Sequence, residues 1–476
     1  MTPKFWQFHR DNICALDICA FSLVTIQCNL VAGTLSRFIQ NSPERLLLLD
    51  QILNFDVKYM PPTSPIEGHP RVGLVIARLM VRGEDRGVRP FVVRINDGRV
   101  MSEGITCRVL PRRTGSKMVD HSITMFNHVH LPRSSLLGSI EPPSNDRQNF
   151  LSVISRISVG TLAISMAMIP ILKRCAFVAG KYSLRRHIRG PTGSQIPIIT
   201  FRTQQAPILH ALASIAVFEA WATDCVQKFC DARLETPVRH GLATAFKAVL
   251  TKATQDTLYT WTERCGAQGL YEHNHIIESQ LESRGISISE GDTLTLCIRK
   301  SRHRMLLQEK YKLPPPDHPE SPLARHEASV FDECRTLLQK MEGGHRSPEF
   351  NRVILPRCHF LIESAGQRLA YEAALSANVS PILLAIYETG SIRQDSSWYL
   401  EKGGISREKQ FEMEIQALDA GLPLLDQLLD QMDVEPYCTA PILSESLMEK
   451  FNDGLTTYGG VDMAMSGGIS IAQSKL

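Results

Sequence analysis

The sequence is organised around two short stretches, Arg264-Cys265-Gly266-Ala267-Gln268-Gly269 and Ser289-Glu290-Gly291-Asp292-Thr293. The first is a glycine-rich turn after a long helical pattern, and its glycines would let a backbone approach a bulky ligand. In the second, Glu290 follows an apolar, β-prone run at 286–288, so partial desolvation should raise the pKa of its carboxyl group. A raised pKa is what a general base near neutral pH requires. The plain alternatives are an ordinary turn and a solvated glutamate, and the rest of the chain decides between them.

The composition is that of an ordinary globular protein. The chain has 476 residues, of which 43% are hydrophobic and 21% charged, and its formal net charge is +3. This length suggests roughly two to four domains with ample room for a buried core. The small net charge, without a basic run interleaved with aromatic residues, argues against a nucleic-acid partner.

The cysteine pattern indicates a reducing compartment. The twelve cysteines are scattered and include no Cys-x-x-Cys pair, which favours buried thiols over a disulfide framework or a zinc site. The run His273-Asn274-His275 has no further ligand nearby in the sequence. We therefore predict a surface turn there and no metal site.

The two ends of the chain bear on its location. Ser474-Lys475-Leu476 at the C-terminus matches a peroxisomal import address, which an import receptor reads, and it predicts a peroxisomal protein. The N-terminus lacks the pattern of a secretory signal. Residues 13–33 are fairly apolar, but Asp17, Gln27 and Asn29 interrupt them, so we predict a buried helix and no membrane span.

Hydrophobic periodicity divides the chain into four regions and predicts a mainly α protein with a small β domain. The regions are a shortened N-terminal helical region (1–58), an apparently incomplete β domain (59–140), a helical bundle (150–310) and a C-terminal helical domain (325–476). We expect strands at 71–81 and 90–95 around a turn at 83–87, and further strands at 104–109 and 122–129. The bundle should contain long helices at 154–182, 201–229, 237–265 and 294–307.

Several short runs, in order, are similar to runs of one enzyme family. They are Ser42-Pro43-Glu44 followed by Leu49-Asp50-Gln51-Ile52, the segments 83–91 and 119–133, Tyr182-Ser183-Leu184-Arg185-Arg186, and Phe201-Arg202-Thr203-Gln204-Gln205. With the glycine-rich turn and Glu290, their order and spacing resemble the acyl-CoA oxidases of the acyl-CoA dehydrogenase superfamily. The resemblance implies an acyl-CoA dehydrogenase-like fold: a helical region, a β domain, a helical bundle and a second helical domain.

The resemblance also implies a reaction. Glu290 would be the catalytic base that removes the α-proton of an acyl-CoA, while FAD takes a hydride from the β-carbon to give a trans-2-enoyl-CoA, and oxygen then becomes hydrogen peroxide. Arg186 would approach the FAD pyrophosphate, and Gln204, Gln205, Gly266 and Gly269 would also bind the cofactor. The family builds this site across subunits, so a homodimer is expected. Such oxidases act in fatty-acid β-oxidation or in specialised acyl or polyketide pathways.

The sequence also departs from the family. Two flavin-binding segments of the β domain have no counterpart between residues 54 and 61, and Arg299 stands where glutamine is common. Two alternatives therefore stay open beside the oxidase: a dehydrogenase-like desaturase of a specialised thioester, and a catalytically impaired structural partner subunit of an oxidase dimer. The acyl chain length is not encoded in any single motif.

Overall fold

The computed structural model describes residues 2–39, 42–59, 63–117, 121–306 and 313–458. The C-terminal address Ser474-Lys475-Leu476 and part of the run 119–133 lie outside the described residues. Predictions that depend on them stay predictions.

The described chain is mainly helical. Its α-helices are α1 (Pro3–Phe8), α2 (Ile18–Thr25), α3 (Gly33–Leu35), α4 (Pro43–Leu53), α5 (Asp146–Val153), α6 (Arg156–Met166), α7 (Met168–Arg185), α8 (Arg202–Cys230), α9 (Thr236–Arg264), α10 (Ile276–Ile288), α11 (Thr293–Leu306), α12 (Pro322–Gln339), α13 (Pro348–Val353), α14 (Cys358–Ser376), α15 (Pro381–Gln394), α16 (Ser396–Glu401), α17 (Arg407–Gly421), α18 (Leu425–Asp430) and α19 (Glu445–Asp453). Short 3₁₀ turns join many of them, and a π-helix, Ile26–Ala32, continues α2.

Three small sheets account for the strands. In the largest, β1 (Lys58–Tyr59) runs parallel to β2 (Arg71–Val81), which pairs antiparallel with β3 (Glu84–Asn96). The other two are the hairpins β4 (Ile105–Val109) with β5 (Ser122–Phe126) and β6 (His187–Arg189) with β7 (Gln195–Pro197). The sheet that contains β2 lies between the N-terminal helices and the bundle in sequence.

The core of the protein is the bundle of α6 to α11, on which the C-terminal helices pack. Trp221 of α8 and Trp261 of α9 are fully buried in it. Gln255 of α9 donates its side-chain amide to the Gln280 carbonyl and the Ser283 hydroxyl of α10, and Lys247, earlier in α9, donates to Ser289, just after α10, so the two helices run antiparallel. This arrangement brings the end of α10 back to the middle of α9.

The structure corrects several predicted boundaries. The single helix expected over 154–182 is broken at Ala167, because Pro170 has no N–H for the helical ladder and its ring crowds the carbonyl four residues earlier. Strand β3 begins at Glu84 rather than at 90, since Arg82 and Gly83 (φ 53° and 82°) form a two-residue hairpin turn. The β-prone run 286–288 ends helix α10 instead, where Ile286 is buried against the bundle.

Buried polar groups overturn one further prediction. The His273-Asn274-His275 run is not a simple surface turn, because Asn274 and His275 are buried. The His275 ring lies 2.7 Å from an Nη of Arg174 and 3.1 Å from the hydroxyl of Thr439.

All twelve cysteines are free thiols, and most of them are buried.

Three helical stretches are long and apolar enough to cross a membrane by length and composition alone: Ile18–Phe38, Asp146–Arg185 and Arg202–Cys230. In the second, 94% of the most apolar window is buried inside the protein. Packing in the bundle therefore accounts for its apolar character, and the absence of a membrane span stays a prediction.

A buried charge cluster joins α12 to α14. Arg368 is 1% exposed and donates to Glu327 and Glu372 at 2.7 and 2.8 Å, and to the carbonyl of Pro314 at 3.0 Å. We expect Arg368→Met to lower the free energy of unfolding by about 3–5 kcal/mol, because the buried carboxylates of Glu327 and Glu372 would both lose the Arg368 cation. Urea unfolding measures this, and Arg335→Met, which removes a surface ion pair to Asp332, is the control. Equal losses of unfolding free energy in both variants would contradict the stabilising role of Arg368 in this cluster.

Candidate active site

Glu290 lies on a sharp turn between α10 and α11. Glu290 and Gly291 both have left-handed backbone conformations, with φ of 54° and 98°. Such a conformation is costly for a non-glycine residue and persists only where the surroundings hold it. One such contact is the hydroxyl of Thr161 on α6, which donates to the Glu290 carbonyl at 2.7 Å.

Lys247 of α9 fastens the same turn. Its side chain is fully buried, and its Nζ donates to the carbonyl oxygens of Ser289 and Gly291 at 2.5 and 2.6 Å. Burial lowers the pKa of Lys247 to about 8, although the charges of Glu290 and Asp292 oppose this. The lysine therefore holds both sides of the residue that carries the carboxylate.

The carboxyl group of Glu290 packs against Gly160 on α6. A Cβ added at Gly160 would lie 2.4 Å from the carboxyl carbon and 2.5 and 2.8 Å from its oxygens, so only glycine leaves room for the group. Burial raises the pKa of Glu290 to about 7, and Lys247 partly offsets the rise. Glu290 also raises the pKa of Tyr59, although burial is the larger cause, so β1 adjoins this site. The carboxyl group is thus poised to accept a proton near neutral pH.

Gly160→Ala should displace this carboxyl group. Glycine to alanine inside a helix ordinarily stabilises by about 1 kcal/mol, but here the new methyl group meets the Glu290 carboxyl at less than contact distance. We therefore expect lower stability and loss of the Glu290-dependent activity. Thermal unfolding and turnover measure this, with Gly454→Ala, whose Cβ meets nothing closer than 3.4 Å, as the control. A Gly160→Ala variant of unchanged activity would show that the carboxyl can function elsewhere.

The five residues predicted to bind the cofactor gather at the other end of the bundle. Arg186 follows the last turn of α7 and is exposed. Gln204 is buried at the start of α8, where its amide donates to the Ser183 hydroxyl at 2.8 Å and to the Arg264 carbonyl at 3.3 Å. Gln205 donates to the Thr200 carbonyl at 3.2 Å. Gln204 thereby ties together the ends of α7, α8 and α9.

The two glycines of the turn play different structural parts. Gly266 has a φ of 59°, and a Cβ built on it would meet no atom within 4 Å, so the space over it is open. Gly269 is buried, and its Cβ would lie 2.1 Å from the Thr262 carbonyl oxygen. Gly269 is therefore required by packing against α9, whereas Gly266 leaves an open approach.

The two groups of predicted site residues do not meet within one chain. Lys247, which fastens the Glu290 turn, and Arg264, beside Gly266, both lie on α9 and are 17 residues apart. At about 1.5 Å per residue the separation is roughly 25 Å. The structure therefore brings the five cofactor residues together at the C-terminal end of α9 but places the Glu290 turn beside the middle of that helix.

These surroundings fit the diphosphate end of FAD. The open face of Gly266 and the exposed guanidinium of Arg186 offer a backbone approach and a charge-assisted donor to a phosphate. Along α9, Arg264 beside this group is roughly 25 Å from Lys247, which holds the Glu290 turn.

Sequence reasoning missed Lys247, Gly160, Thr161 and Tyr59. A usable signal for Lys247 did exist, because a lysine at the centre of the apolar run 241–250 is rare unless it is paired. Gly160 and Tyr59 had no local signal, since their importance comes from elements distant in sequence.

The family model of the acyl-CoA oxidase C-alpha1 domain matches residues 157–305. This range spans α6 to α11, except for one residue at each end, and contains Glu290 and the five predicted cofactor residues. The resemblance to acyl-CoA oxidases is confirmed. Human peroxisomal acyl-coenzyme A oxidase 3 is 27% identical over 258 residues, which cover 48% of this chain and 37% of that protein. An Arabidopsis peroxisomal acyl-coenzyme A oxidase 2 is 25% identical over 253 residues, or 36% of its length. The chain thus matches little more than a third of these curated acyl-CoA oxidases.

Solved acyl-CoA oxidases share the fold over nearly the whole chain. Acyl-CoA oxidase 3 of Yarrowia lipolytica superposes with a TM-score of 0.79 at 14% identity, covering 100% of this chain and 86% of that one. The predicted acyl-CoA dehydrogenase-like fold is therefore confirmed.

Proposed function

We propose that the chain is an FAD-dependent acyl-CoA oxidase that converts an acyl-CoA to a trans-2-enoyl-CoA and reduces oxygen to hydrogen peroxide. The observation that carries this proposal is the Glu290 carboxyl group, whose pKa burial raises to about 7 on a turn fastened by Lys247. The matches to acyl-CoA oxidases support it independently.

The chain's own contribution is to position and deprotonate the substrate. Glu290 accepts the α-proton that the thioester carbonyl has made acidic, and its raised pKa lets it take that proton near neutral pH. Gly160 fixes where the carboxyl group lies, and Lys247 fixes the turn. When bound, FAD would accept the hydride from the β-carbon and return its electrons to oxygen. Arg186 and Gly266 would hold the FAD diphosphate, with Gln204, Gln205 and Gly269 shaping that end of the bundle.

We propose that a second copy of the chain completes the cofactor site in a homodimer. In such a dimer one FAD could contact Glu290 of one chain and the Arg186 group of a second chain. The separation of roughly 25 Å along α9 between Lys247 and Arg264 supports this arrangement. We propose a peroxisomal location from Ser474-Lys475-Leu476, and both curated relatives are named as peroxisomal.

The first test is the visible absorbance of the purified chain after FAD is supplied. We expect a flavin spectrum that bleaches when a long-chain acyl-CoA is added without oxygen, and peroxide when oxygen is admitted. Bleaching without peroxide would move the assignment to a desaturase of a specialised thioester. A panel of acyl-CoAs of different chain length then defines the substrate.

The second candidate function is that of a structural partner subunit in an oxidase dimer. The described β region, a three-stranded sheet and a separate two-stranded hairpin, favours it because the flavin ring needs a β-domain wall. A colourless chain that still forms dimers, as measured by light scattering, would support this reading and overturn the catalytic one.

A further inference from the structure

A basic cleft opens beside the Glu290 turn, between α5, α6, the first turn of α9, and α11. Its volume is about 830 Å³, within the usual range for ligand pockets. Among the described residues that line it, none is Asp or Glu. The cations that line it are Arg37, Arg147, Arg156, Arg239, Arg299 and Lys300.

Three cations of this basic cleft have no carboxylate partner among the described residues. Among the described residues, Arg147, Arg299 and Lys300 form no ion pair, and Lys300 instead donates to the Pro237 carbonyl at 2.9 Å. Burial and the neighbouring Arg299 lower the pKa of Lys300 to about 7. Burial, followed by the charges of Lys300, Arg299 and Arg239, lowers the pKa of His240, another lining residue, to about 4. An anion in the cleft would relieve this repulsion.

The basic cleft is close enough to Glu290 to share one ligand with it. Val159 lines the cleft and directly precedes Gly160, against which the Glu290 carboxyl packs. Lys300 lies seven residues into α11, which begins just after the Glu290 turn, so the two are separated by about 10 Å along the helix. The pantetheine arm of CoA is about as long as four extended amino-acid residues, or roughly 14 Å. It could therefore bridge the distance between the basic cleft and Glu290.

We propose that the basic cleft binds the phosphorylated adenosine end of the CoA thioester, its 5′-diphosphate and 3′-phosphate, while the acyl part reaches Glu290. This inference rests on the proposed function, because it assigns the other end of the same substrate. Three phosphate groups match a cleft with several guanidinium groups, which bind phosphate oxygens in pairs. The described lining side chains all come from one chain: from the turn at Arg37 and from α5, α6, α8, α9 and α11, with their flanking residues.

The test is calorimetric titration of the full chain with free CoA, dephospho-CoA and ATP. We expect CoA to bind, and dephospho-CoA, which lacks the 3′-phosphate, to bind at least tenfold more weakly. Higher salt should weaken CoA binding, because the contacts are ionic. Tight binding of ATP that CoA does not displace would overturn the proposal in favour of a separate nucleotide site.

Two cleft variants make the test specific. Arg147→Glu and Arg299→Gln should each weaken CoA binding by about tenfold, whereas Lys340→Gln and Arg346→Gln, at exposed positions of the C-terminal region, should not change it. Arg147 is exposed, so its variant is expected to fold. Unchanged CoA affinity in both cleft variants would overturn the proposal.

The outcome can be separated from that of the oxidase assignment. Free CoA binding requires neither flavin nor turnover, and Glu290→Gln should bind free CoA as the parent chain does. CoA binding that depends on the cleft in a chain without turnover would support this inference and reject the oxidase. Turnover with an unchanged KM for acyl-CoA in the cleft variants would keep the oxidase and reject the inference.

Discussion

Glu290→Gln is expected to lower acyl-CoA turnover by about 10²–10⁴-fold, the range ascribed to a positioned general base. Glutamine keeps the size and the left-handed backbone of the turn but cannot accept the α-proton. Anaerobic flavin bleaching in a stopped-flow instrument measures the step directly, and peroxide formation measures the full cycle. Glu342→Gln, an exposed carboxylate in the C-terminal region, is the control. Bleaching by Glu290→Gln at the parent rate would assign the base elsewhere.

The pH dependence has a definite sign. The base must be ionised, so turnover should rise with pH through an inflection near 7, where burial places the pKa of Glu290.

The contribution of Glu290 to stability should change with pH in the opposite direction. A folded pKa above the unfolded value means that the folded chain binds the extra proton, so this group's contribution to stability is present below about pH 4.5 and is lost as pH rises to about 7. Glu290→Gln should therefore be more stable than the parent at pH 8, as urea unfolding would show.

Lys247→Met should have the second largest effect. The change leaves the carbonyls of Ser289 and Gly291 without their buried donor, at about 1–3 kcal/mol for each unsatisfied group. The Glu290 turn then loses its fixed position, so kcat should fall more than KM rises. Removal of the cation also takes away the charge that lowers the pKa of Glu290, so the inflection of the pH profile should move above 7.

Lys252→Met provides a matched control on the same helix. Lys252 lies five residues further along α9 and pairs at the surface with Asp256. Its loss should cost less than about 1 kcal/mol, as is usual for exposed pairs, and should leave the pH profile in place. If Lys247→Met and Lys252→Met gave the same pH profile and the same kcat, the positioning role of Lys247 would be rejected.

Local sequence signals predicted the long regular elements well. The helices expected at 201–229, 237–265 and 294–307 begin and end within one residue of α8, α9 and α11. Errors arose where a distant contact overrides a local preference. Residues 286–288 favour a strand locally, yet they end a helix because Ile286 is buried against the bundle.

The sequence by itself determined the identity of the candidate base, because a lone glutamate before glycine at the family's spacing is a local pattern. It also determined the mainly α fold and the acyl-CoA oxidase resemblance. Only the tertiary structure decided the surroundings of the Glu290 carboxyl group, since Gly160, against which it packs, and Lys247, whose charge partly offsets the rise in its pKa, are 130 and 43 residues away from it along the chain. Desolvation and hydrogen bonding depend on distances in space. The same holds for the basic cleft, whose cations come from four separate parts of the chain and form one surface only when the bundle is folded.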